Sequence, residues 1–131
     1  ISDSDEGVAV VQISAGGNHS AAVINGHSHA YTWGSNDNGQ LGLGNSTPDK
    51  SVYIPKPVPT FSQGGKKCAV VSCGENTTGF VTVEGELFMC GANKNGQLGL
   101  GDRLNRNEPW PIDGKAFGSG TLAQVRQVAC G

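Results

Sequence analysis

The chain has 131 residues, a formal net charge of −2, 36% hydrophobic and 15% charged residues, which suits a single domain and leaves no basic excess to hold a polyphosphate backbone. Direct nucleic-acid binding is therefore not expected, and no apolar run reaches the length of a membrane span. The 21 glycines recur at fixed intervals instead of running together as a linker, which assigns them to tight turns and crowded strand ends.

Residues 1–7 are polar and acidic and read as a solvated lead-in. Val8-Ala-Val-Val-Gln-Ile-Ser-Ala15 is rich in β-branched residues and stops at Gly16-Gly17, as a strand apolar on both faces would. Ser20-Ala-Ala-Val-Ile24, the turn Asn25-Gly26 and Ala30-Tyr-Thr-Trp33 read as a hairpin. Next comes the phrase Gly34-Ser-Asn-Asp-Asn-Gly-Gln-Leu-Gly-Leu-Gly44. Residues 53–61 then carry three prolines, which fit only an outer or edge strand.

The same order begins again with Cys68-Ala-Val-Val-Ser-Cys73, then Gly79-Phe-Val-Thr-Val83 and Glu86-Leu-Phe-Met-Cys90. The phrase returns as Gly91-Ala-Asn-Lys-Asn-Gly-Gln-Leu-Gly-Leu-Gly101 and leads to Glu108-Pro-Trp-Pro-Ile112. Ile13-Ser-Ala-Gly16 answers to Val71-Ser-Cys-Gly74 and, at the end, to Val128-Ala-Cys-Gly131. The chain thus divides into a first repeat (8–64), a second (65–121) and the opening strand of a third (122–131). Four short strands per repeat are the content of a propeller blade. The expected fold class is all-β: a partial β-propeller of two four-stranded blades plus an extra strand. Almost no helix is expected, a short turn over 116–120 being the one exception.

Four cysteines form no CxxC pair, and Cys73 and Cys130 hold the same repeat position, so buried thiols in a reducing compartment are expected rather than a disulfide framework. No signal peptide opens the chain, and a soluble, intracellular protein of nucleus or cytoplasm is the expectation. The three Asn-x-Ser/Thr matches are discounted, because so short a pattern is common in Asn- and Ser-rich turns.

Reactive chemistry finds no foothold. As a calcium loop the phrase fails, since Gly34 and Gly91 stand where a carboxylate is required and Asn45 or Asp102 where Glu is. As a phosphate loop it fails because Gln40 and Gln97 replace the Lys. A structural turn whose Asn side chains bond their own backbone remains. His27 and His29 could share a strand face, but two ligands do not make a metal site. His19 corresponds to Thr77, which favours a hydrogen bond to the backbone between strands over proton transfer, and Ser20 lacks the strand-turn-helix elbow of a nucleophile. Trp33, at the position of Cys90, reads as a core filler between blades. Trp110, between Pro109 and Pro111, reads equally as a packed or a partly exposed, interface-forming aromatic. Asp37 and Lys94, of opposite charge at equivalent loop tips, are the other candidate partner contacts. No catalytic, cofactor or metal residue is assigned.

The order Val-x-Cys-Gly, a hairpin with an aromatic before Trp-Gly, the Gly-Gln-Leu-Gly-Leu-Gly phrase and a Pro-Val segment resembles the regulator of chromosome condensation repeat family over residues 8–131. The resemblance marks Gly34, Gly39, Gln40, Leu41, Gly42 and Gly44, with Gly91, Gly96, Gln97, Leu98, Gly99 and Gly101, as structural repeat positions. It implies a seven-bladed ring, of which two repeats are a fragment, with open ends through which copies could associate. It also implies a protein-protein interaction scaffold and no enzyme. The alternative it implies is part of a guanine nucleotide exchange factor for the small GTPase Ran, with chromatin association. The family's founding member adds a β-wedge against its GTPase, for which two repeats of nearly equal length leave no room.

Overall fold

The computed structural model describes residues 9–24, 29–44, 49–113 and 129–130. Strands β1 (Val10–Ala15), β2 (His19–Ile24), β3 (His29–Ser35) and β4 (Ser51–Pro57) form one antiparallel sheet in chain order. After the short helix α1 (Pro59–Ser62), strands β5 (Cys68–Cys73), β6 (Thr77–Thr82), β7 (Leu87–Gly91) and β8 (Arg106–Pro111) form a second sheet of the same order. Apart from α1 the described residues are strand, turn and loop, so the fold is a partial β-propeller of two four-stranded blades.

The two sheets repeat each other in register. His19 faces Gly34 across β2 and β3, and Thr77 faces Gly91 across β6 and β7. The outer strands correspond as well: Val58 N–H donates to Ala30 O at 2.9 Å, and Ile112 N–H to Leu87 O at 2.8 Å. N–H directions alternate along a strand, so Pro55 and Pro57, like Pro109 and Pro111, turn their donorless nitrogens to the open edge. Both outer edges are thereby poor templates for strand addition.

One apolar core runs between the sheets, with Ala21, Val23 and Leu41 of the first meeting Val71, Phe80 and Phe88 of the second. Its keystone comes from α1. Pro59 at the first helical turn presets the backbone. The helix then sets Phe61 against Phe80 (5.1 Å, tilted) and Phe88 (5.9 Å, edge-on). Expectation and structure differ here: residues 53–61 are strand only as far as Pro57, and the chain then turns into a helix, because a buried aromatic at 61 is needed to cover the second sheet.

The seam between sheets is polar at β1. Gln12 Nε2 donates to Val71 O and Gln12 Oε1 accepts from Val71 N–H, both at 2.7 Å, so one side-chain amide stands in for a strand residue. Cys73 N–H donates to Ser14 Oγ at 2.9 Å, and Cys130 N–H to Ser72 Oγ at 3.1 Å. The other residues of β1 are not buried on both faces as their composition suggests. Val10, Val11 and Ile13 are all more than half exposed. Ile13 is 64% exposed, whereas Val71 at the same repeat position is 1% exposed, because among the described residues only Val71 has a sheet stacked on it. Trp33 is likewise half-buried, while its counterpart Cys90 is fully buried. The lead-in 1–7, the turn at 25–26 with His27, the turn at 116–120 and all but Ala129 and Cys130 of the third-repeat strand lie outside the described residues.

Candidate functional site

The two glycine phrases fold alike. Asn36 Oδ1 accepts from Leu41 N–H (3.2 Å) and Gln40 Oε1 from Asn38 N–H (2.8 Å). In the second copy Asn93 Oδ1 accepts from Leu98 N–H (3.1 Å) and Gln97 Oε1 from Asn95 N–H (2.9 Å). These bonds hold Leu41 and Leu98 in the core while the tips with Asp37 and Lys94 stay in solvent. Gly34 and Gly91 lie in the left-handed region, as do Gly39, Gly42, Gly44, Gly96, Gly99 and Gly101. At Gly39 a second constraint applies, since a Cβ there would stand 2.6 Å from Asn107 Cα. At Gly96 nothing lies within 4 Å. The first phrase is seated against a neighbouring sheet, Gly44 N–H donating to Asn107 O at 2.8 Å, and the second faces open space among the described residues.

That seating creates a groove between the first turn and the outer strand of the second sheet. Asp37, Asn38 and Gly39 form one wall, and Arg106, Glu108 and Trp110 belong to the other. Two of the three candidate contacts, Asp37 and Trp110, are thus brought together, while Lys94 sits on the equivalent turn outside the groove. Trp110 is 44% exposed, with the Arg106 guanidinium 4.7 Å over its ring. Arg106 is held from behind: its Nη2 donates to Asp102 Oδ2 at 2.8 Å and its Nη1 to Leu104 O at 2.8 Å. Hydrogen bonding from Arg106, with help from the Leu104 backbone, holds the Asp102 carboxyl below the usual carboxylate range. Asp102 also accepts from Asn93 Nδ2 at 2.9 Å, so it anchors the loop and is not a free metal ligand. Asp37 and Glu108 make no ion pair among the described residues.

Arg106 and Glu108 were not singled out from sequence. The signal for Arg106 is present but weak: an Asp four residues before an Arg, followed four residues later by a Trp.

Potentially reactive groups are locked elsewhere. His19 Nε2 lies 2.8 Å from Thr78 Oγ1, and the Thr78 hydroxyl donates to Gln40 O at 2.6 Å. A hydroxyl has one proton, so His19 must donate from Nε2, leaving Nδ1 bare and buried. Burial lowers the His19 pKa, the Thr77 backbone partly opposing it. The Nε2 bond crosses the seam to a side-chain hydroxyl, where the sequence reading placed a backbone partner. Burial pushes the Cys68 thiol up to about 12 and Cys73 to about 11, and raises Cys90 further, which suppresses thiolate chemistry. Among the described residues no group of three His, Cys, Asp or Glu is placed to hold a metal ion, and no helix is long and apolar enough to cross a membrane.

Stacked four-stranded leaves with loops at their rims define a propeller-type repeat protein. The sequence profile of the regulator of chromosome condensation (RCC1) repeat matches residues 28–81 and 84–131, and a second profile of that description matches residues 10–40. The chain belongs to this family. It is 36% identical to the Arabidopsis thaliana ultraviolet-B receptor UVR8 over 126 residues, covering 96% of this chain and 26% of the receptor. It is 40% identical to the Homo sapiens X-linked retinitis pigmentosa GTPase regulator over 97 residues, covering 74% of this chain and 9% of that protein. The chain therefore spans about a quarter or less of these relatives. Among solved structures, Saccharomyces cerevisiae Prp20p, studied for its binding to Gsp1p and histones, superposes with a TM-score of 0.79 at 19% identity, covering 96% of this chain and 30% of that one. That is a likeness of fold alone. Human WBSCR16 gives a TM-score of 0.71 at 26% identity, covering 85% and 27%.

Proposed function

We propose that the chain is part of a protein-protein interaction scaffold that works through its rim loops and not through a reactive side chain. One observation carries this reading: Asp37 and the half-covered Trp110 line an open groove, while His19 and the thiols of Cys68, Cys73 and Cys90 are buried. A rigid sheet pair positions such loops without ordering cost on binding. The repeats at 8–64 and 65–121 act as two blades of a longer ring, and 122–131 opens the next. The exposed β1 face then receives a preceding blade or a second copy. Burying Ile13 as Val71 is buried would contribute about 1.5–3 kcal/mol to that contact. Size-exclusion with light scattering tests this, a stable monomer at high concentration counting against the second copy.

The protein acts inside the cell, in nucleus or cytoplasm, as a non-catalytic module without cofactor. Pull-down of a defined partner by the whole protein tests the scaffold, and a protein that retains no partner would count against it. Part of an exchange factor for Ran is a second reading, supported by the family resemblance and by the relative named a GTPase regulator. Such a factor binds the nucleotide-free GTPase best and needs no acid or base of its own. Release of labelled nucleotide from Ran, unaccelerated by the whole protein, would remove it.

A further inference from the structure

Two carboxylates, Asp37 and Glu108, line the groove beside Trp110 together with the amides of Asn36, Asn38, Asn105 and Asn107. Asp37 and Glu108 lack ion-pair partners among the described residues, and the one cation of its walls, Arg106, is already bonded to Asp102 at 2.8 Å. Pro109 and Pro111 remove the N–H donors that the β8 edge would offer, leaving its carbonyl oxygens. A strand cannot add there by the usual ladder, so an occupant must bind through its side chains. Nearly half of Trp110 stays uncovered beside the two carboxylates.

We propose that this groove docks an extended, arginine-bearing segment of a partner protein, with guanidinium groups shared between Asp37, Glu108 and the Trp110 ring. The proposal rests on the scaffold reading and adds the partner's chemistry to it. Guanidinium suits the site better than ammonium, since its planar fork pairs with carboxylates and stacks on indole. The equivalent turn of the second repeat presents Lys94 in place of Asp37, which repels the same segment and confines docking to one register.

The test is fluorescence anisotropy on the whole protein with two labelled probes, Gly-Arg-Gly-Arg-Gly-Arg-Gly and the same peptide with Glu for Arg. The arginine peptide binds at least about tenfold tighter at low salt, and the preference shrinks as salt screens it. Asp37→Lys with Glu108→Lys reverses the preference, and Trp110→Ala weakens the arginine peptide about fivefold or more. Equal binding of both peptides, or a preference that survives charge reversal, overturns the proposal. Should the reversed protein not fold, the near-isosteric Asp37→Asn with Glu108→Gln must abolish the preference, and its survival overturns the proposal equally. A purified partner that binds wild-type and charge-reversed protein alike overturns the groove and leaves the scaffold standing. A protein that holds the arginine peptide but retains no partner supports the groove and removes the scaffold.

Discussion

Asn93 does more for this fold than its exposed-looking surroundings suggest. It is fully buried, accepts from Leu98 N–H, and donates through Nδ2 to Asp102 O, Asp102 Oδ1 and Leu104 O. Asn93→Ala leaves those groups short of partners and is expected to cost about 2–4 kcal/mol in a denaturant melt, against which a loss below about 0.5 kcal/mol would speak. His19 supplies a pH signature. Its folded pKa lies below the ordinary value of 6.5, so its contribution is complete above that value and is lost as pH falls below it, when the unfolded chain takes up the proton first. Tm should therefore fall more steeply from about pH 7.5 to about pH 5.5 for the wild-type protein than for His19→Thr, which carries the residue of the second repeat. Equal slopes would show that His19 does not bear this charge. The Asn role within the phrase was legible because a turn's side-chain bonds reach only a few residues along the chain, whereas the bonds that Gln40 and Gln97 accept from Asn38 and Asn95 N–H came only with the structure. The Arg106–Trp110 stack was not, since it depends on where β8 is set against β7.

At the scale of elements, the strand sequence was readable from β-branched runs and glycine stops, yet burial was not. Ile13 and Val71 are alike as residues and opposite in exposure, because burial belongs to the neighbour and not to the strand. Gln12 shows the converse: a polar residue inside an apolar run is explained only once β5 lies beside it. Helix α1 escaped notice because four residues give no periodicity, and prolines at 57 and 59 read as extended chain. Its contribution lies in Phe61, which joins the first repeat to the rings of the second. Phe61→Ala is expected to cost about 3–5 kcal/mol, measured by denaturant unfolding, and a cost below about 1 kcal/mol would mean that the helix is not what couples the sheets.

As a whole the described residues form two stacked four-stranded leaves of a partial propeller, with one phrase seated on a neighbour and one open. Stability in such arrays is a sum of unit and interface terms, so rim charges can vary without disturbing the stack. Asp37 and Lys94 occupy such positions, exposed and outside the bonds that shape their turns. The most direct measurement is of partner affinity and Tm together on protein carrying Asp37→Lys with Lys94→Asp. A loop-borne interaction requires that affinity fall by about tenfold or more while Tm moves by less than about 2 °C. Unchanged affinity with a Tm lowered by many degrees would contradict it, and would make these residues part of the frame instead of the surface that binds.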